Sequence, residues 1–327
     1  MENLILDFTV AIPTYNGVFR LPKLLENLRS QTASHLRWEI IVVDNNSDDN
    51  TAQLIKTYQL SWDDSSQLRY ILEPEQGAAF ARKRGINEAR SLLIGFLDDD
   101  NLPAPDWVAA AYAFSQEHPQ AGAYGGQIHG DFEIKPPEKS EFIQKILLAI
   151  TENGSEPSLY NPANLNLPPG AAIVIRKQAW CESVPKSLIF KGRVGKSMIG
   201  GEDLEPLLYI HKAGWEIWYN PAMHTYHQIP SWRLERDYLL KVARGCGLCT
   251  CQLRLINTQL WQKPIVIIKI ILGNLHRILQ HIIKYKWQIK TNLVALLEME
   301  FYLSNLLSPI YSLKLFLNQL FFMLVRS

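Results

Sequence analysis

From Phe8 to Ile12 a short apolar run stops at Pro13, and beyond it Leu21, Leu24, Leu25 and Leu28 recur at the spacing of one helix face. The same strand-then-helix phrase continues. Ile40 to Val43 is a β-branched run suited to a strand buried on both faces, and after the polar stretch Asp44 to Asn50 come Leu54, Ile55 and Tyr58. Leu68 to Leu72 precedes Gly77 and an Ala/Arg-rich helix ending near Ser91, and Leu92 to Leu97 runs straight into Asp98, Asp99 and Asp100. Strands alternating with helices of this length predict an α/β fold, a mostly parallel central sheet flanked by helices. Ligands of such sheets bind beyond the carboxyl ends of the strands, where Asp44 and the three aspartates fall.

Past Gly122 the alternation fails. Pro136, Pro137, Pro157, Pro162, Pro168 and Pro169 punctuate a segment that reads as loops over the cleft, with one helix from about Glu141 to Thr151. Ala171 to Ile175 predicts a returning strand, Glu202 to Lys212 a helix and Ile217 to Tyr219 another strand. In the tail, Ile265 to Leu272 is apolar but for Lys269, and Leu303 to Val325 carries Lys314 alone. A membrane span needs roughly 20 consecutive apolar residues; the first run is shorter, and Asn305, Pro309, Asn318 and Gln319 break the second. The expectation is helices lying in the membrane interface, with Lys263, Lys269, Lys284, Lys286 and Lys290 reaching anionic headgroups. A helical cap on the catalytic core or on a partner chain is the plainer alternative.

Charge sharpens this division. The 327 residues carry 33 Lys and Arg against 32 Asp and Glu, yet residues 257 to 327 hold eight basic side chains and only Glu298 and Glu300. An acidic body therefore bears a basic, greasy tail. No overall basic balance points to nucleic acid, and none is expected as a partner. The sequence opens without a charged-then-apolar leader, and Cys181, Cys246, Cys249 and Cys251 lack a second pair at zinc-site spacing. Buried or tolerated thiols and a cytoplasmic setting, at the inner face of the plasma membrane, are expected.

The residues with chemical potential lie past the predicted strand ends. Three crowded carboxylates need a cation or donors to answer them, and alternate ones on an extended turn suit a hard divalent metal on a diphosphate; capping the helix opened by Pro103, Pro105 and Asp106 is the bland account. Asp44, followed by Asn45-Asn46-Ser47, either accepts from a nucleobase or ribose or is an Asx-turn that simply starts the next helix. Gly77 and Arg82 stand near a helix start, where anions are favoured. Glu202 and Asp203 follow two glycines, as helix caps or as a general base, and His227 could complete a metal shell or be merely structural. Neither Gly-x-Gly-x-x-Gly nor Gly-Lys-Ser/Thr follows the first strand, which argues against a Rossmann dehydrogenase and an ATPase.

Ala11-Ile12-Pro13-Thr14-Tyr15-Asn16, Val43-Asp44-Asn45-Asn46-Ser47, Gly77 to Arg82, Asp98-Asp99-Asp100 and Glu202-Asp203, in this order, resemble the family 2 glycosyltransferases of GT-A fold. The resemblance implies inverting transfer of a sugar from a nucleoside-diphosphate-sugar donor to a saccharide or lipid-linked acceptor in polysaccharide biosynthesis. It implies nucleotide-sugar contacts from Pro13, Tyr15, Asp44, Gly77, Arg82, Asp98 and Asp99, a divalent metal (Mg2+ or Mn2+) on Asp100 and His227, and Asp203 as catalytic base. Gly192 to Ser197 and Ile229 to Leu234 further resemble a cyanobacterial subgroup serving hormogonium polysaccharide synthesis. The Gln-x-x-Arg-Trp signature of processive synthases is missing, so single-sugar transfer is expected. The division implied is a transferase domain over 1–255, with a nucleotide-sugar half to 125 and an acceptor and catalytic half after it, then a membrane-associating helical region over 256–327. A sugar nucleotidyltransferase lacks support because its glycine-rich phosphate loop is missing; a catalytically inactive glycan-binding scaffold is the rival of a different class.

Overall fold

In the computed structural model, which describes residues 6–62, 66–136, 140–195 and 197–326 with side chains to 317, the alternation of the first hundred residues is realised almost as spaced. Strand β1 (Phe8–Thr14) leads to α1 (Leu21–Arg29), whose buried residues are Leu21, Leu24, Leu25 and Leu28. β2 (Trp38–Asp44) is buried at every position because helices cover both faces of the sheet, and α2 (Thr51–Leu60) follows. β3 (Gln67–Leu72), α3 (Ala78–Glu88) and β4 (Leu93–Leu97) complete the parallel half. The sequence then makes the short β5 (Asn101–Pro103) before α4 (Trp107–Glu117), and Trp107 is fully buried.

Beyond this point the structure corrects the expectation of loops. A long strand, β6 (Ala121–Phe132), occupies the region where regularity seemed to end. Its glycines hid it from a pattern search, yet they are needed: a Cβ on Gly125 would lie 2.5 Å from Pro168 Cβ, and one on Gly126 would lie 2.2 Å from the Met223 carbonyl. The helix expected over 141–151 is a single π-helical segment, Phe142–Leu147, in which Leu148 N–H donates to the Ile143 carbonyl five residues back. Pro137 and Lys196, both in stretches read from the sequence, lie outside the described residues. β7 (Ser158–Leu159), β8 (Ala172–Arg176), α5 (Lys177–Ser183), α6 (Leu204–Lys212) and β9 (Glu216–Ile229) follow, the last far longer than the 217–219 run suggests.

The strands form one mixed sheet in the order β3-β2-β1-β4-β8-β6-β9-β5, with β7 on β9. β3, β2, β1, β4, β6 and β9 run one way; β8, β5 and β7 oppose them. One apolar layer, including Phe8, Leu25 and Trp107, lies on one face, and another, including Phe96, Trp180 and Leu207, lies on the other. α7 (Arg236–Ile256) follows β9. α8 (Lys263–Tyr285) and α9 (Leu293–Arg326) then form a helical layer. α9 lies along α7 because Gly247 lets the chains approach: a Cβ there would be 2.6 Å from Ser304 Cβ and 2.8 Å from the Phe301 carbonyl. Leu297 and Phe301 join the apolar cluster beneath α7.

α8 buries two polar residues together with Ile270 and leaves much of its apolar surface exposed. Asn274 and His281 are buried, whereas Ile265, Ile268, Leu272, Leu275, Leu279 and Ile282 form an exposed stripe at three- and four-residue steps. Leu260–Lys290 and Leu293–Leu317 are each long and apolar enough to cross a membrane by length and composition, more continuous than the sequence runs suggested.

Candidate active site

Strand register delivers the acids to one place. Thr14 pairs with Asp44 across β1 and β2, and Leu97 at the end of β4 stands opposite Ala172 of β8. Asp98, Asp99 and Asp100 therefore leave the sheet beside the loop carrying Gly170 and Ala171, and Asp98 N–H donates to the Ala171 carbonyl. β5 begins at Asn101 opposite His227 of β9, which brings the imidazole to Asp100.

Each crowded carboxylate has its own arginine. Arg82 Nη2 donates to Asp98 Oδ1 at 2.8 Å. Arg20 grips Asp99 with both arms, Nε to Oδ1 at 2.7 Å and Nη2 to Oδ2 at 2.9 Å, and Thr14 Oγ1 adds a 2.6 Å hydrogen bond. Arg233 Nη2 lies 2.7 Å from Asp100 Oδ2. None of the three aspartates caps α4, which Asp106 enters, so the capping account does not hold. Burial works to raise the Asp100 carboxyl, but His227 and Arg233 beside it hold it well below the usual carboxylate range.

The second acidic pair heads α6. Asp203 Oδ1 accepts from Leu204 N–H and Oδ2 from Gly170 N–H, both at 3.0 Å. Capping thus fixes the carboxylate in place without removing it from the cavity it lines. Gly170 is there to make room: a Cβ would sit 2.7 Å from Asp203 Cβ and 3.0 Å from Arg82 Nη2. Glu202 lies 3.7 Å from Arg82 Nη1, and burial, together with the charge of Asp203, pushes its carboxyl up to about 7. Arg82 Nε and Nη1 are buried with no hydrogen-bond partner, as is Glu202 Oε2, so the buried guanidinium keeps donors in reserve.

Of the residues read from the sequence, Pro13, Tyr15, Gly77, Arg82, Asp98, Asp99, Asp100, Asp203 and His227 line a single cavity of about 1200 Å³. Gly77 has φ +138°, and a side chain there would meet the Lys191 carbonyl at 2.5 Å. Asp44 is the one residue not brought to the wall. It is 2% exposed, Oδ1 accepts from Ser47 N–H at 2.9 Å and Oδ2 from the Tyr70 hydroxyl at 2.8 Å. Burial and that hydrogen bond push the Tyr70 phenol up to about 12. Asn45 takes the lining position instead, and its side chain ties Gly77 N–H to the Glu73 and Glu75 carbonyls.

Sequence reasoning missed Arg20, Arg233, Gly170 and Phe301. Nothing local marks Arg20 or Phe301, and Arg233 stands in the Ile229–Leu234 stretch without a role of its own. The far wall comes from α7 and α9, including Cys246, Cys249 and Phe301. Burial pushes the Cys246 thiol up to about 11 and the Cys249 thiol well above its ordinary value, so both keep their protons at neutral pH.

The donor set at Asp100 fits a divalent cation. His227 Nδ1 lies 2.9 Å from the Leu148 carbonyl, which can only accept, so Nδ1 carries a proton and Nε2 presents a lone pair, to which Arg233 Nη1 donates at 2.8 Å. That lone pair lies 3.8 Å from Asp100 Oδ2, an oxygen and an imidazole of the kind Mg2+ or Mn2+ takes. Among the described residues no group of three or more His, Cys, Asp or Glu is placed for a metal, so a cation held there would complete its shell from water or a bound substrate. The guanidinium of Arg233 shows that the pair attracts positive charge.

The profile of glycosyl transferase family 2 matches residues 9–179. The chain is similar to the glycosyltransferase AglE of Haloferax volcanii, 34% identical over 101 residues that make up 31% of this chain and 32% of that one. It is also similar to the GalNAc(5)-diNAcBac-PP-undecaprenol beta-1,3-glucosyltransferase of Campylobacter jejuni, 32% identical over 28% of this chain and 29% of that one. The alignments thus span only about a third of such relatives. Among solved structures, S. aureus TarS residues 1–349 superpose with TM-score 0.51 and 15% identity over 92% of this chain and 89% of that one. GalNAc-T7 with UDP, GalNAc and Mn2+ gives TM-score 0.51 and 17% identity over 75% of this chain and 48% of that one. At such identities the likeness concerns the fold.

Proposed function

The chain belongs to glycosyl transferase family 2 and has the GT-A fold, and from that premise we propose that it moves one sugar, with inversion, from a nucleoside diphosphate to a saccharide or lipid-linked acceptor. The observation that carries the proposal is the convergence of Arg82, the Asp98–Asp100 run and Asp203 on one cavity. Arg82, whose side chain lines the cavity, receives the diphosphate. Asp203, held by two backbone N–H groups, takes the proton of the acceptor hydroxyl. The oxygen so freed attacks the anomeric carbon from the face opposite the leaving group, the anomeric C–O bond breaks, and its electron pair leaves with the diphosphate. The metal that Asp100 and His227 suit supplies, when bound, positive charge for that departing group.

Glu202 is a second candidate for the base, because a carboxyl pushed up to about 7 is matched to taking a proton near neutral pH. The relatives' names support a saccharide or lipid-linked acceptor, the Campylobacter enzyme's being an undecaprenol-linked glycan. The exposed stripe of α8 supports contact with a membrane, at the inner face of the plasma membrane in a cytoplasmic setting. The likeness of residues 192–197 and 229–234 to the hormogonium polysaccharide enzymes of cyanobacteria favours cell-surface or extracellular polysaccharide as the product.

The test is a panel of uridine, guanosine and thymidine diphosphate sugars, each with and without Mn2+, read by thermal shift. A ligand at 100 times its Kd raises stability by about 2.7 kcal/mol. A chain that no nucleotide sugar in the panel stabilises is not this transferase.

A further inference from the structure

The guanidinium of Arg233 lies between the two side chains best suited to a metal. Nη2 is 2.7 Å from Asp100 Oδ2 and Nη1 is 2.8 Å from His227 Nε2. Since a guanidinium only donates, it uses the same carboxylate oxygen and the same imidazole lone pair that a divalent cation would use. The two occupants are mutually exclusive, by ligand supply and by like charge. The position is enclosed: Arg233 is 22% exposed at its side chain, Asp100 10% and His227 7%.

The pair does not need Arg233 for its geometry. His227 is oriented by the Leu148 carbonyl through Nδ1, and Asp100 Oδ1 accepts from Asn101 Nδ2 at 2.8 Å. Nor is Arg233 without an alternative: its guanidinium carbon lies 5.4 Å from the Trp232 ring centre, and Trp232 is half exposed.

We infer that Arg233 is a built-in counter-cation that holds the Asp100–His227 site until a divalent metal displaces it, so that metal entry and release of Arg233 are one event. The inference rests on the transferase reading only in taking the metal to belong at this pair. Because every gain from the metal is reduced by what Arg233 loses, the nucleotide-free enzyme binds metal weakly, and the diphosphate's oxygens tip the exchange.

The experiment titrates Mn2+ into the full chain without nucleotide, read by electron paramagnetic resonance or calorimetry. Arg233→Met, similar in length and uncharged, is expected to bind Mn2+ at least tenfold more tightly than the parent, and Arg233→Lys to stay within about threefold of it. Arg233→Met/His227→Ala should lose the gain. Melting curves confirm that each variant is folded; Arg233→Gln serves if the Met variant is not. Equal or weaker Mn2+ affinity in a folded, uncharged variant overturns the inference, as does a gain that survives loss of His227. A parent chain that binds a nucleotide sugar while Arg233→Met gains no Mn2+ affinity would leave the transferase standing and remove only the role of Arg233.

Discussion

Glu202 sits against Arg82 at 3.7 Å, yet its carboxyl is pushed up to about 7, because burial and the charge of Asp203 outweigh the guanidinium groups of Arg82 and Arg193. Between the ordinary value of 4.5 and about 7, the folded protein holds a proton there that the unfolded chain has released. Stability contributed at this position is therefore present at low pH and declines as pH rises through that window. Glu202→Gln removes the titration, so its melting temperature should fall less than the parent's between about pH 5 and pH 8. Parallel melting profiles would show that Glu202 ionises like an ordinary surface acid.

The assignment of the base separates through kinetics. Asp203→Asn keeps an acceptor for the Gly170 N–H but cannot take a proton, and transfer should drop by about 10² to 10⁴ with nucleotide affinity nearly unchanged. If Glu202→Gln produces that drop and Asp203→Asn does not, the base is Glu202.

Tyr70→Phe deletes the hydrogen bond to Asp44 Oδ2 and leaves a buried carboxylate with one partner fewer. The expected cost is about 1–3 kcal/mol in denaturant unfolding. Nucleotide binding should weaken with it only if Asp44, through Asn45, sets the shape of the base pocket. A loss of affinity without loss of stability would mean that Asp44 meets the ligand directly.

Gly247→Leu drives a side chain into Ser304 and the Phe301 carbonyl. Overpacking of this kind costs typically about 1–3 kcal/mol and should pry α9 from α7. Since Phe301 lines the cavity, the variant should also show a raised KM for acceptor, measured at saturating donor.

Leu272→Glu with Leu279→Glu places charge on the outward stripe of α8, where both leucines are about 60% exposed. Each buried leucine is worth about 1.5–3 kcal/mol at an apolar surface, so co-sedimentation with anionic vesicles should fall by at least tenfold. Thermal stability should hardly move. Unchanged sedimentation would assign the stripe to another protein surface instead.

The parallel half of the fold was legible because its signals are local. Leu21 to Leu28 and Ile40 to Val43 bury what their spacing says they bury. β6 was not, because its glycines answer to Pro168 and Met223, neighbours distant in sequence. The site divides in the same way. Asp98 to Asp100 and Asp203 announced themselves by standing at strand and helix ends, whereas the arginines that neutralise them come from positions 20, 82 and 233, and only Arg82 had a local mark. The crowded carboxylates correctly demanded positive charge, but composition could not say that the chain supplies it from within. Asp44 went the other way: the plain turn with Ser47 is what the backbone uses, and Tyr70, a β3 residue, claims the rest.

Three acids, each with its own arginine, also bear on how the protein is made. A site whose repulsions are settled internally lets the newly synthesised polypeptide reach its native shape in a cell starved of manganese or magnesium, unlike small zinc domains that remain unfolded until loaded. Chelators should then silence the enzyme without denaturing it, and readmitting the ion should restore turnover with no refolding delay.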